Sequence, residues 1–196
     1  VTQDELVERI GIGRTPVREA IWKLEEQGLC RMIPKRGIVI SQLSLRDLQE
    51  IVELRVLLEG FTARRVSQGM SDNQFQELEA LHAEIAEAAN RGDANTVFDL
   101  DRTFHHLIDL ASGNRHIAEV LLRLRDQSDV RRMQILSTTI PGRLQQSVSE
   151  HRALLDAIQS KNADLAEKLA VRHVRGFFET VIAAISGEHT TKEAYQ

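Results

Sequence analysis

Apolar positions recur at helical spacing through most of the chain, with one short exception near its start. Thr2 opens the first such run, and Glu5, three residues on, completes the spacing of a capping box. Leu6, Val7 and Ile10 form the apolar stripe, and Gly11 is a natural left-handed stop. After the turn Ile12-Gly13-Arg14, Thr15 is expected to cap a second helix. Pro16 would take its first position, where a missing N–H costs nothing. Val17, Ala20, Ile21 and Leu24 repeat at i, i+3, i+4 and i+7, and Gly28 ends the run. The segments 29–33 and 37–40 then read as two short strands around Pro34-Lys35-Arg36-Gly37. Helix, tight turn, helix and β-hairpin is the order of a winged helix-turn-helix.

From Ser44 to about Ser186 the pattern is helical again. Six helices are expected, at 44–68, 71–91, 93–111, 114–138, 142–160 and 162–186, separated by Gly, Ser, Asp, Asn and Pro. Short loops imply antiparallel neighbours. The predicted fold is therefore mostly α. An N-terminal winged helix-turn-helix (1–41) precedes an all-α antiparallel helical bundle of six to seven helices (44–186) and a polar tail (187–196).

Composition narrows the function. Aromatics are 4% of the 196 residues and there are only 3 Pro, which argues against a turn-rich β-sandwich. The single Cys30 excludes an internal disulfide framework and fits a reducing cytoplasm. No apolar run approaches the roughly 18 residues of a membrane span, so no membrane partner is expected. The chain opens on Val1 rather than Met, and a preceding N-terminal piece is expected. The net charge of -4 hides an asymmetry: residues 1–40 carry seven Lys/Arg against six Asp/Glu, whereas the rest carries 18 against 23. Net charge alone does not announce a nucleic-acid binder, so any such role rests on a few placed cations.

Those cations exist. Arg14, Thr15 and Arg18 cluster at the start of the second helix, off its apolar stripe, where a recognition helix meets the major groove. An Arg fork on guanine O6 and N7 supplies roughly 1–3 kcal/mol of base discrimination. Lys35 and Arg36 sit at the hairpin tip, and Gly37 permits close backbone approach. A solvated surface with incidental arginines is the alternative. The ordered string of cap, Pro, two Arg, Gly stop and basic hairpin favours DNA.

The string GRTPVREAIWKLEEQGL, followed by RMIPKRGIVI, resembles the DNA-binding domain of GntR-type bacterial transcription regulators over residues 1–40. The resemblance implies that Gly13, Arg14, Thr15, Arg18 and the wing glycine Gly37 face DNA. The family often carries a further Arg in the preceding helix; that position here is Asp4. The family's opening helix, before Thr2, is absent from this chain.

In the bundle the informative residues are polar ones on apolar stripes. Asp101 and His105 share one face, at i and i+4, among Val97, Phe104 and Ile108. His151 lies on the stripe Leu144, Val148, Leu155, Ile158, and His173 on Ala166, Leu169, Phe177, Thr180. One carboxylate and three imidazoles would thus project inward from three helices, a set able to hold a divalent cation. Singly, each reads more simply as a hydrogen-bonded core residue or a side-chain pair. His82, His106, His116 and His189 lack the pattern and are assigned to surface or packing roles. Arg55, among Leu48, Ile51, Leu58 and Thr62, and Arg131, among Ile117, Val120, Leu124 and Ile135, also interrupt apolar stripes. A buried Arg needs an anion. Glu53, Glu59 or Asp101 could supply it internally, which is the simpler reading, or a bound carboxylate could; Arg131 could equally face a dimer interface.

ELRVLLEGFTARR, DRTFHHLIDLASGN and EHRALLDAI, with the later RHV, are similar to the all-helical FCD effector domain of the FadR subgroup, over roughly residues 44–186. The resemblance implies a metal held by Asp101, His105, His151 and His173. It also implies a small organic acid as effector, with Arg55, Asn114 and Arg131 as candidate contacts. Six helices rather than seven look like the VanR-type branch. The expected protein is a cytoplasmic homodimeric transcription regulator, a repressor, on a palindromic double-stranded DNA operator. Its cofactor would be a divalent metal ion, zinc before nickel, manganese or iron. The alternatives are a metal-dependent hydrolase or lyase, and a regulator that senses the metal itself. Against the enzyme stands the lack of HExxH, G-x-S-x-G or a phosphate loop.

Overall fold

The computed structural model describes residues 1–41, 43–136 and 142–186, with side chains for all of these except 130–136 and 184–186. The first module consists of α1 (Gln3–Ile10), α2 (Arg14–Glu26), β1 (Cys30–Ile33) and β2 (Gly37–Ile40). Thr2 and Glu5 form the expected capping box on α1, and Gly11 closes it at φ 74°. The strands pair antiparallel, Cys30 opposite Ile40 and Ile33 opposite Gly37. A small core of Val17, Ile21, Cys30 and Ile38, lined by Leu6 and Val7, holds the module together.

One cap differs from expectation. Gly13, not Thr15, is the N-cap of α2, and it makes no side-chain hydrogen bond. The helix therefore starts at Arg14, and Pro16 occupies its third position. A proline is tolerated there too, because its N–H would also lack an intrahelical acceptor.

The second module contains α3 (Leu45–Gly69), α4 (Asp72–Asn90), α5 (Ala94–Ala111), α6 (Arg115–Leu136), α7 (Arg143–Gln159) and α8 (Ala163–Ser186). Every start but that of α7, which follows Gly142, carries a side-chain cap. Ser44 and Ser71 form capping boxes with Asp47 and Gln74, and the Asp93 carboxylate accepts from Thr96 N–H. Asn114 and Asn162 accept from Ile117 and Leu165 N–H. The long α3 packs along α8, α4 lies against α5 and α7, and α6 lies against α5 and α3. Gly60 makes the α3–α8 approach possible: a Cβ there would stand 3.0 Å from Val171 Cγ2. Lower down the same seam, Arg64 bridges to Asp164 and Glu167. One continuous core, including Val66, Leu78, Ile85, Phe104 and Leu155, fills the bundle.

The buried stripe of α6 departs from expectation. Ala118, Leu121, Arg125 and Ser128 are buried, while Val120 is 37% exposed. The inward face is rotated by one residue, about 100°, from the stripe expected through Ile117, Val120 and Leu124. Small Ala118 and Ser128 permit close packing, and Arg125 is buried because carboxylates await it. Scoring by apolar bulk alone points to the wrong face. No helix among the described residues is long and apolar enough to cross a membrane.

Candidate functional site

Asp101 and His105 sit one helical turn apart on α5, His151 is midway along α7, and His173 lies on α8. The packing of these helices brings one ligand atom from each of the four within 4.8 Å of the other three. All four side chains are buried, His151 to 1% exposure. Asp101 Oδ1 lies 3.4 Å from His151 Nε2 and 3.8 Å from His105 Nε2. The His173 ring is 4.8 Å from that of His151 and 5.0 Å from that of His105.

The protonation chemistry of the cluster suits a cation. Burial pushes His105 down to about 3, with the Asp101 charge opposing and His173 assisting. Burial, followed by the His173 charge, also drives His151 well below the ordinary imidazole value. Neutral imidazole is the ligating form. Neither ring nitrogen of His151 makes a hydrogen bond among the described residues, and buried polar atoms are rarely left so. His173 Nδ1 contacts Glu150 at 2.6 Å, which leaves Nε2 for a ligand, in the carboxylate–imidazole order common around protein-bound metals. The residues thus fit a divalent ion in number, donor type and charge state. FCD domains bind metal, and this buried Asp/His cluster has the composition such an ion takes.

Beside the cluster lies a cavity of about 20 Å³, walled by Asp101, His105 and His173 and by four guanidinium groups. These are Arg55, Arg102, Arg125 and Arg143, and each has a carboxylate partner. Arg55 donates to Glu59 at 2.8 Å and to Ser128 Oγ at 3.2 Å. Arg125 forks onto Asp109 and lies 3.4 Å from Glu59. Burial would raise the Glu59 carboxyl, but Arg55 and Arg125 outweigh it and hold the group well below the usual carboxylate range. Of the residues expected to grip an effector, Arg55 lines this cavity and has its internal partner, Glu59. Asn114 is not among the lining residues; its side chain caps α6. The Arg131 side chain lies outside the described residues. Arg102, Arg125 and Arg143 escape sequence reasoning because each is legible only once its helix has been turned to the correct face. Among the other histidines, His82 Nε2 meets Val148 O at 3.0 Å, a packing role, and His116 is exposed. His189 lies outside the described residues.

At the opposite end of the chain, Arg14, Thr15 and Arg18 line the exposed face of α2, and Lys35 and Arg36 lie exposed at the hairpin tip. Asp4 of α1 pairs with Arg14 at 3.2 Å. Lys35 adopts φ 63°, a left-handed conformation uncommon for a side-chain-bearing residue. Gly37, at φ 84°, serves a local need: a Cβ there would stand 2.5 Å from Val1 O. That carbonyl accepts from Ile38 N–H at 2.7 Å, so Val1 pairs alongside β2. The two modules touch where Gln127 Nε2 of α6 donates to Gln27 O, the C-cap of α2, at 2.8 Å.

Comparison with known proteins agrees with this geometry. Residues 50–176 match the FCD domain, and residues 1–40 match the bacterial regulatory proteins of the gntR family. The repressor RspR of Escherichia coli is 26% identical over 182 residues, covering 92% of this chain and 78% of that protein. The HTH-type transcriptional regulator YdhC of Bacillus subtilis is 28% identical over 174 residues, covering 88% and 77%. Among solved structures, E. coli McbR/YncC superposes with a TM-score of 0.88 at 19% identity, covering 94% of this chain and 87% of that one. The metal-free FCD domain of TM0439 superposes with a TM-score of 0.61 at 21% identity, covering 75% and 99%. These relatives are regulators, which sets aside the hydrolase or lyase alternative. A basic reader joined to a bundle with a buried Asp/His centre is the two-part plan of one family, and the chain belongs to it: it is a DNA-binding transcriptional regulator of the GntR family with an FCD domain.

Proposed function

We propose that the chain is a cytoplasmic repressor whose operator affinity is set by a small carboxylate bound beside a divalent metal. Asp101, His105, His151 and His173 would hold the ion, zinc before nickel, manganese or iron. When bound, the ion supplies a Lewis-acidic anchor for a carboxylate. Arg55 and Arg125 would supply the complementary charge, joined by Arg131 and Asn114 if the bundle rearranges around a guest. In the reader, Gly13, Arg14, Thr15 and Arg18 would enter the major groove, with Lys35, Arg36 and Gly37 against the flanking backbone. Two copies would present paired α2 helices to the half-sites of a palindrome.

The observation that carries this reading is the convergence of the four buried ligating groups on one point. The size of the cavity gives it a mechanism. About 20 Å³ admits little more than a water molecule, so a larger acid must displace a helix or an ion pair to enter. On α6, Arg125 and Ser128 hold cavity-wall contacts, while Gln127 between them touches the reader. Displacement of α6 therefore bears on α2, and differential affinity for two such arrangements is what coupling requires.

The test combines elemental analysis with operator binding. The chain as purified should carry about one equivalent of metal per copy. Small carboxylates should raise its melting temperature only in the metal-loaded form, and one of them should change operator affinity about 5- to 150-fold. A chain that never takes up metal, or whose carboxylate response ignores metal, would refute this reading. An operator affinity that follows metal concentration without any acid would favour the cation itself as effector.

A further inference from the structure

The chain has a single tryptophan, and it is not in a core. Trp22 lies on α2 with 54% of its surface exposed, apart from the cluster of Val17, Ile21, Cys30 and Ile38 that packs the reader. Arg14, Arg18 and Trp22 follow one another at i, i+4 and i+8, so the three form one exposed stripe along α2, beside the buried Val17 and Ile21. The Arg18 guanidinium carbon sits over the indole ring, 5.2 Å from its centroid. That is within the range of a cation–π contact.

From this arrangement we infer that Trp22 is a positioning residue for Arg18 in operator recognition. The inference rests on the assignment of α2 as the DNA-reading helix. Its physical content is a contrast between two arginines of one face. Arg14 is held by a carboxylate, Asp4, at 3.2 Å. A carboxylate occupies N–H donors and adds negative charge, so a phosphate or a guanine must displace it. Trp22 instead places its ring under the Arg18 guanidinium. A π face supplies no carboxylate oxygen, so the N–H donors of Arg18 are not tied into an ion pair and a bidentate contact with a base displaces no anion. It also limits the rotamers of a long side chain before the duplex arrives, which lowers the ordering cost of binding. The ring can stay in place in the complex, whereas Asp4 must yield.

The test uses duplexes that the wild-type chain selects from a randomised pool, with an unselected duplex as the nonspecific probe. Trp22→Ala and Trp22→Leu should weaken binding to the selected duplex about two- to five-fold, the value of an exposed cation–π contact. Binding to the unselected duplex should not change. Trp22→Phe should restore most of the loss, which a purely structural role for an exposed side chain would not require. In an Arg18→Ala background, Trp22→Ala should cost nothing more. In the free chain, Arg18→Ala should shift the emission of the lone tryptophan. Additive losses in the double variant, wild-type binding by Trp22→Leu, an equal loss on both duplexes, or an unshifted emission would each overturn the inference. Wild-type binding by Arg18→Ala would overturn the reader assignment together with it, whereas a loss on Arg18→Ala alone would leave that assignment standing.

Discussion

Replacing Glu59 by glutamine isolates the cost of the charge network behind the cavity. Glu59 is 6% exposed and lies 2.8 Å from Arg55 Nε and 3.4 Å from Arg125 Nη2. Asp109 supplies the second negative charge through its fork onto Arg125. Two arginines and two carboxylates therefore balance, and Glu59→Gln leaves one positive charge without its partner. Breaking a buried pair from one side costs about 3–5 kcal/mol. Glutamine keeps an oxygen for Arg55 Nε, so the lower end, about 3 kcal/mol, is expected. For a chain of this size that corresponds to a fall of roughly 6–12 °C in Tm. The pH dependence fixes the cause. The folded-state pKa of Glu59 is depressed by the two arginines, so its stabilisation is fully present above the unfolded value and is lost as pH falls through the folded one. With metal chelated, the difference between wild type and variant should be full at pH 7 and should shrink on acidification below about 4.5. Thermal and urea unfolding across that range measures both. A variant within about 1 kcal/mol of wild type at pH 7 would show that the pair does not bear the load assigned to it. A difference that persists undiminished in strong acid would show that packing, not charge, is responsible.

Three further outcomes separate the modules and their link. Arg18→Ala should cut affinity for a selected duplex by about 1–3 kcal/mol with metal content unchanged, and His151→Ala should do the reverse, which gel shift and elemental analysis together decide. Glu150→Gln should weaken metal binding about 10- to 100-fold in a buffered-metal titration, through loss of the carboxylate that orients His173. Equal affinity in that variant would remove Glu150 from the site. Gln127→Ala should leave metal binding intact while hydrogen exchange in residues 24–30 quickens, because the Gln27 carbonyl loses its donor from α6. Unchanged exchange there would deny Gln127 a role in docking the reader.

Local chemistry made most of the architecture legible from sequence. Thr2 with Glu5, Ser44, Ser71, Asp93, Asn114 and Asn162 mark helix starts because each side chain satisfies an N–H that the helix cannot. The metal candidates were legible for a related reason: a His or Asp on an apolar stripe is conspicuous, and α5, α7 and α8 each bury the face that their periodicity indicates. Convergence of those faces was not legible. No periodicity within a helix records which neighbour it meets, and only the packing of α5, α7 and α8 brings Asp101, His105, His151 and His173 within 4.8 Å of one another. The same limit explains α6. Its sequence offers two plausible inward faces, and the choice fell to the one carrying Arg125, whose burial is acceptable only where Asp109 and Glu59 from two other helices stand ready. Capping and amphipathic stripes are short-range and therefore written along the chain. The pairing of buried charges is long-range, and it exists only once the helices have met.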